Sequence, residues 1–413
     1  MTTTKNNEHK KLNVPNLRFK EFQGEWEKCK LGTLTTKVGS GSTPKGGNAV
    51  YTSAGHCFVR SQNVGMGYLI LDEIAHINDV IHQKHKATEL KENDVLLNIT
   101  GASIGRTAIA TKEIEGGNVN QHVCIIRANS KVNPKFLCNY IQTKKIQNYI
   151  QSLQTGGSRE GLNFEQIRSF PIPLPNIAEQ NKIAQLLDKL NERIATQNKI
   201  IDKLQSLIKG LNDTLYAQHS DEVVTSFAEL GTSYSGLSGK SAQDFGSGKP
   251  FITYLNVYSN NVINENDFQY VTIKDGEKQN IVEYGDVLFT LSSETPNEVG
   301  IGSVYLGKEK VFLNSFCFGI HITNTKVAFS PYLSYYVSST VFRKFIYPYA
   351  QGSTRFNLCK VDFEKASIKL PTLGHQKRIY SILSHIDCKM KTEIQMLNLY
   401  NSQKQYLLRQ MFI

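Results

Sequence analysis

The sequence predicts an α+β chain with a pseudo-twofold internal repeat. Two similar mixed α/β domains are separated by two long helices packed as an antiparallel coiled coil. Three observations carry this. A proline-led helix start recurs at a fixed offset in the 413 residues, short apolar strand-like runs recur between the copies, and a heptad stripe follows each copy.

The repeated helix start comes first. The run Leu174-Pro175-Asn176-Ile177-Ala178-Glu179-Gln180-Asn181-Lys182-Ile183 aligns with Leu370-Pro371-Thr372-Leu373-Gly374-His375-Gln376-Lys377-Arg378-Ile379, 196 positions later. The match continues outward. Leu31-Gly32-Thr33-Leu34 aligns with Phe227-Ala228-Glu229-Leu230, and Phe58 to Val64 with Phe251 to Val257. Asp94-Val95-Leu96 aligns with Asp286-Val287-Leu288, Ile104-Gly105 with Ile301-Gly302, and Gly156 to Arg159 with Gly352 to Arg355. The offset drifts by a few residues, as surface loops accept insertions. A period this long is duplication of a whole domain with its helix, not a solenoid unit.

Within the first globular part, 95–100, 107–111 and 123–127 are predicted strands divided by Gly-rich turns. Asn133 as N-cap and Pro134 at the first helical position predict a helix over 134–152, and Ser330-Pro331 repeats that start. Loops 156–159 and 352–355 follow those helices. Asn176 is a cap candidate for the first long helix, with Glu179 placed to reach back as in a capping box.

The seam of that helix is Ile183, Leu187, Leu190, Ile194, Gln197, Ile201, Leu204, Ile208, Leu211 and Leu215, alternately four and three apart. The second copy gives Ile379, Leu383, Ile386, Met390, Glu393, Leu397, Tyr400, Lys404, Leu407 and Met411, with Tyr400 and Lys404 interrupting the stripe. Stripes of this length argue coiled coil. Because 196 is a whole number of heptads, the two stay in phase. Each helix of ~40 residues spans ~60 Å, and an apolar ridge that long needs a partner in water. Antiparallel pairing within the chain would bring Gln197 and Glu393 to one level as a polar layer that fixes register. Gly210 stands one residue before a seam position and costs about 1 kcal/mol against alanine.

Composition narrows the class. A net charge of +11 and a pI near 9.1 suit an anionic partner such as nucleic acid. Seven widely spaced cysteines without a CxxC pair predict reduced, mostly buried thiols of a cytosolic protein. No run approaches the ~18 apolar residues of a membrane span, and the polar start 1–12 lacks a signal-peptide core.

Catalytic patterns fail on inspection. Gly101-Ala102-Ser103-Ile104-Gly105 fits GxSxG, but a nucleophile elbow needs strand, turn, helix; here two strands flank it, so a hairpin is expected. Gly236-Leu237-Ser238-Gly239-Lys240-Ser241 is two residues short of a phosphate loop, with Tyr234 where the first glycine belongs. His82 and His85 lie on a polar stretch and are expected to be solvated. No metal-ligand spacing is present.

Pro15-Asn16-Leu17-Arg18-Phe19, Gly24-Glu25-Trp26, Lys30-Leu31-Gly32, the loop Gly39-Ser40-Gly41-Ser42-Thr43-Pro44, and Pro173-Leu174-Pro175 with Glu179-Gln180 and Ile183 resemble the specificity (S) subunits of type I restriction–modification systems. The order of the motifs and the layout of domain, helix, domain, helix extend the resemblance over the whole chain. His375 departs from it, standing where the first copy has glutamate.

The resemblance implies an N-terminal target-recognition domain over 1–173 (1–15 a polar extension), a central helix over 174–217, a second recognition domain over 218–369 and a C-terminal helix over 370–413. Each domain would read one half of an asymmetric, bipartite site on double-stranded DNA. The helices would set the spacer and dock two methyltransferase (M) subunits, and motor-nuclease restriction (R) subunits would join for cleavage. The chain itself would be cytoplasmic and non-catalytic, without a metal or cofactor; S-adenosylmethionine, ATP and magnesium belong on the partner subunits. Candidate DNA-contacting residues by chemistry are Lys45, Arg60, Gln62, Asn63, Arg106 and Arg159 in the first domain, and Lys240, Lys249, Tyr254, Asn256 and Arg355 in the second. Arg grips guanine bidentately, and Asn or Gln adenine. Two other readings remain open: a self-contained DNA-modifying enzyme with an unrecognised site, and a coiled-coil adaptor.

Overall fold

A computed structural model describes residues 13–154, 161–218 and 222–413. The chain divides into two compact units, Met1–Asn198 with Gln395–Ile413, and Lys199–Ile394.

In the first unit a four-stranded antiparallel sheet runs in the order Thr35–Ser40, Val123–Ala128, Val95–Asn98, Thr107–Ile109. A three-stranded sheet runs Ala75–Ile77, His56–Val59, Asn118–Val119; its first pair is antiparallel and its second parallel. Glu27–Lys30 pairs with Pro171–Leu174 to close the domain beside the long helix. The strand Val95–Asn98 is fully buried, which explains the continuous apolar run Val95-Leu96-Leu97 that opens it.

The second unit repeats this plan. Its four-stranded sheet runs Gly231–Ser235, Cys317–Ile322, Val287–Thr290, Gly302–Val304. Its three-stranded sheet runs Gln269–Val271, Phe245–Ile252, Phe312–Leu313 with the same antiparallel and parallel pairings. Glu222–Thr225 closes on Ile368–Pro371. A small third sheet joins Ser292–Ser293, Phe356–Leu358 and Ala350–Gln351. The two halves therefore share one strand order, as the sequence repeat requires.

Each unit has its own aromatic core. In the first, Trp26, Phe136, Tyr140 and Phe412 meet at ring-centroid distances from 5.2 to 6.5 Å. In the second, Phe227, Phe289, Phe318, Phe342 and Phe363 form an aromatic cluster with edge-to-face pairs.

The predicted long helices are present as Ile177–Ala217 and Leu373–Gln410. Every predicted seam position is buried or half-buried, and Lys404 with them. In the first unit Ile183, Leu187 and Leu190 share a core with Leu407 and Met411. In the second, Ile208, Leu211 and Leu215 pack against a core containing Ile379 and Leu383. Each unit thus holds the start of one long helix and the end of the other.

Three local expectations need correction. The helix over 134–152 breaks into Pro134–Ile141 and Lys144–Ser152, because Thr143 turns extended while its hydroxyl and amide both bond Tyr140 O, at 2.7 and 2.9 Å. Asn133 does cap the first piece, accepting from Lys135 N and Phe136 N. At the second copy Ser330 is already helical and Phe329 holds the cap position without a side-chain bond. The capping box at 176–179 is half right. Asn176 accepts from Glu179 N at 3.0 Å, but the Glu179 carboxylate turns to the Arg18 guanidinium, at 2.8 Å to both Nε and Nη2, and accepts from Trp26 Nε1 at 3.3 Å.

The cysteines are all free; Cys124, Cys138 and Cys317 are buried as expected, whereas Cys29, Cys57 and Cys359 are half-buried and Cys388 is exposed. His82 is buried instead of solvated; its Nδ1 lies 2.8 Å from Asn118 Oδ1 and its ring stacks on His56 at 3.7 Å. His85 is half-buried, with Nδ1 3.1 Å from Ser42 Oγ. Among the described residues no helix is long and apolar enough to cross a membrane, and no group of three or more His, Cys, Asp or Glu is placed to hold a metal ion.

Candidate nucleic-acid interface

Polar loops gather at the end of the four-stranded sheet in each unit. In the first, the GxSxG stretch is the expected hairpin: Leu97 pairs with Thr107 across the turn, and Ser103 Oγ accepts from Asn98 Nδ2 at 3.1 Å. The same Asn98 amide reaches Ser61 O at 2.8 Å, which binds the turn carrying Gln62 to the turn before Arg106. Gln62 and Arg106 are both exposed.

The Gly-rich loop bearing Lys45 is tied to a different turn, because Thr43 Oγ1 donates to Gln121 Oε1. Gln121 Nε2 lies 3.0 Å from His122 Nε2, and His122 Nδ1 bonds Thr100 Oγ1. Lys45 is exposed, while Arg60 is half-buried with its guanidinium 5.5 Å from the Tyr51 ring centroid. Arg159 lies outside the described residues.

In the second unit Arg355 is exposed; its Nη2 donates to Ser292 Oγ at 3.3 Å and its guanidinium lies 5.8 Å from the Phe316 ring centroid. Tyr254 OH donates to Ser292 O at 2.8 Å, and burial pushes its phenol above the usual range. Tyr254, Ser292, Phe316 and Arg355 therefore form one surface cluster. Lys249 is exposed on the bulged strand Phe245–Ile252.

Three candidates are committed to the fold. Asn63 is buried, donating from Nδ2 to Ile70 O and accepting from Arg60 N, both at 2.9 Å. Its repeat partner Asn256 is equally buried, donating to Asn264 O at 2.9 Å and accepting from Asn264 N at 3.0 Å. Their amides staple loops and have no free edge for a base. Lys240 bonds Glu277 at 2.6 Å and Thr272 O at 2.7 Å, and this contact holds the Glu277 carboxyl down at about 2. After Lys240 only the single 3₁₀ turn Ala242–Asp244 opens, and the Lys240 ammonium is occupied, so the phosphate-loop likeness ends there.

Sequence reasoning passes over Thr43, Thr100, Gln121, His122, Ser292 and Phe316. A signal is nevertheless present: Asn120-Gln121-His122 and Asn314-Ser315-Phe316 stand at the same offset of 194 as the strands that follow them.

Comparison with known proteins agrees with this architecture. A family model, Type I restriction modification DNA specificity domain, matches residues 23–206 and again 230–399. The chain is 22% identical over 411 residues to a protein assigned as the type I restriction enzyme MjaX specificity subunit of Methanocaldococcus jannaschii, spanning 92% of this chain and 91% of that one. It is 20% identical over 307 residues to the EcoKI specificity subunit of Escherichia coli K12, spanning 67% and 63%. Among solved structures, the S subunit of a type I restriction–modification system from M. genitalium superposes with a TM-score of 0.59 at 15% identity, over 97% of this chain and 99% of that one. A chain from a study of assembly and conformational transition of the type I R-M system gives 0.56 at 16% identity, over 94% and 97%. At these identities the superpositions establish the fold.

Proposed function

The chain belongs to the type I restriction modification DNA specificity family, and from that premise we propose that it is the sequence-reading subunit of a type I restriction–modification complex. Each globular unit reads one half of an asymmetric bipartite site on double-stranded DNA. The observation that supports this most directly is the pair of units with one strand order and different side chains at matching loop positions. A dimer of identical readers demands a palindrome; two unlike readers on one chain do not.

In this reading the long helices pair antiparallel and set the unread spacer. Support comes from the buried seam and from the way each unit packs the start of one helix with the end of the other. M subunits dock on this framework and R subunits join for cleavage, with S-adenosylmethionine, ATP and magnesium held by those partners. The chain itself contributes binding and no catalysis. Lys45, Arg60, Gln62, Arg106, Lys249 and Arg355 supply phosphate and base contacts, Tyr254 braces Arg355 through Ser292, and Arg159 is carried by its repeat position alone.

The test is base-resolution mapping of methylated adenines in cells with and without the gene, beside a purified-chain reaction with S-adenosylmethionine and DNA. A split motif that disappears on deletion, and no methyl transfer by the chain alone, are expected. Methyl transfer by the isolated chain would establish the self-contained enzyme instead.

A further inference from the structure

One turn is built identically in both units and carries a different ring in each. Asn120 Oδ1 accepts from His122 N at 3.1 Å, and Asn314 Oδ1 accepts from Phe316 N at 2.9 Å. The backbone before the turn is held alike, Asn120 N bonding Val59 O at 3.1 Å and Asn314 N bonding Ile252 O at 3.0 Å. So is the backbone at its tip: Ile99 N bonds His122 O at 3.0 Å, and Leu291 N bonds Phe316 O at 2.9 Å. Scaffold that is this constant fixes where the tip side chain stands. What it presents is free to differ.

The differences are chemical. In the first unit the tip is His122, threaded into hydrogen bonds with Thr100 and Gln121. In the second it is Phe316, 55% exposed, with the Arg355 guanidinium over its ring. Thr100 and Ser292 occupy matching positions 192 apart, so each tip has a hydroxyl beside it. An aromatic ring left mostly in water on a rigid turn, next to a cation, gains nothing for folding, since burying it would be worth about 1.5–3 kcal/mol.

We propose that this turn is a specificity-determining position in each half-site: Phe316 packs against the 5-methyl of a thymine in the major groove, and the exposed Gln121, held in place by His122 and Thr43, reads a base edge by hydrogen bonds. A phenyl face offers no hydrogen bond to a base edge, and thymine is the base whose major-groove edge carries a methyl. Arg355 stands beside the ring to hold the adjoining guanine or phosphate. The inference rests on the family-based function above and adds which residues divide the two half-sites.

The experiment uses the full chain assembled with its methyltransferase subunits and randomised duplex pools, one made with thymidine and one with deoxyuridine, which lacks only the methyl. Wild type should lose about 4-fold preference at one position of one half-site in the deoxyuridine pool. Phe316→Ala should lose that preference in the thymidine pool and stop responding to deoxyuridine, with the other half-site untouched. His122→Ala should alter the other half-site alone. Phe316→His keeps a ring on the turn and guards against misfolding; it should also abolish the methyl response, at an unchanged melting temperature. A wild-type complex whose preferences survive Phe316→Ala and Phe316→His overturns the assignment and leaves the function standing. A wild-type complex without any sequence preference overturns both.

Discussion

At the scale of single residues, the deepest correspondence between the halves is a glutamine rather than a hydrophobe. Gln180 Nε2 donates to Lys131 O at 3.1 Å and Pro175 O at 2.8 Å, while its Oε1 accepts from Asn133 N at 2.8 Å. Gln376 makes the same three bonds, to Val327 O at 2.7 Å, Pro371 O at 2.8 Å and from Phe329 N at 2.8 Å. Every partner lies at the offset of 196. Each glutamine fastens the helix start to the loop that opens a short helix earlier in the chain, Pro134–Ile141 for Gln180 and Ser330–Tyr336 for Gln376, and both are essentially inaccessible. Gln180→Leu or Gln376→Leu keeps the volume but strands one N–H and two carbonyls in the interior, at a cost of about 2–4 kcal/mol. The expected readout is a lower melting temperature for either variant, together with faster amide exchange at Asn133 or Phe329 respectively. A variant that melts like wild type would refute the role. The sequence exposes this glutamine only as one letter of a motif, because periodicity finds apolar faces and is blind to a buried amide serving backbone groups far along the chain. Asn63 and Asn256 mislead for the same reason. Their chemistry suits adenine, and nothing local reveals that their own loops consume it.

At the scale of elements, the strongly periodic segments are legible and the short ones are not. Four-and-three spacing yields both long helices to within a few residues, and alternation with Gly-rich turns yields Val95–Asn98, Thr107–Ile109 and Val123–Ala128. The break at Gln142-Thr143 is hidden because Thr143 has ordinary helix propensity; its bond to Tyr140 O acts only once that turn forms. Glu179 reads as a local cap because its partner Arg18 is 161 positions away in sequence. Gly210 is legible both ways. It sits in the interior of the helix Ile177–Ala217, is exposed, and an added Cβ would meet nothing within 4 Å. Gly210→Ala should therefore stabilise the helix by about 0.5–1 kcal/mol through backbone entropy. Denaturant titration of the second unit's transition checks this; an unchanged or lower midpoint would mean that the helix needs flexibility there.

For the whole molecule, charge and duplication act on different properties. The net charge of +11 is spread over a chain that also carries 36 acidic residues, so long-range attraction to DNA is general while phosphate contacts are local. Lys45 and Arg106 are exposed on loops, and Lys249 on a bulged strand. Such cations fit phosphates, which carry no sequence information, whereas the Phe316 turn fits a base edge. The two classes separate by salt. Removing one phosphate-binding cation should flatten the slope of log affinity against log salt by about 0.9. Lys45→Ala, Arg106→Ala and Lys249→Ala in the assembled complex should each flatten it by that amount and weaken binding equally on specific and scrambled duplexes. Phe316→Ala should leave the slope intact and change only the ratio between the two duplexes. The measurement is a fluorescence-anisotropy titration across salt concentrations for each variant. If a lysine variant changed the ratio while keeping the slope, that side chain would be reading bases, and the division between positioning and reading would have to be redrawn around it.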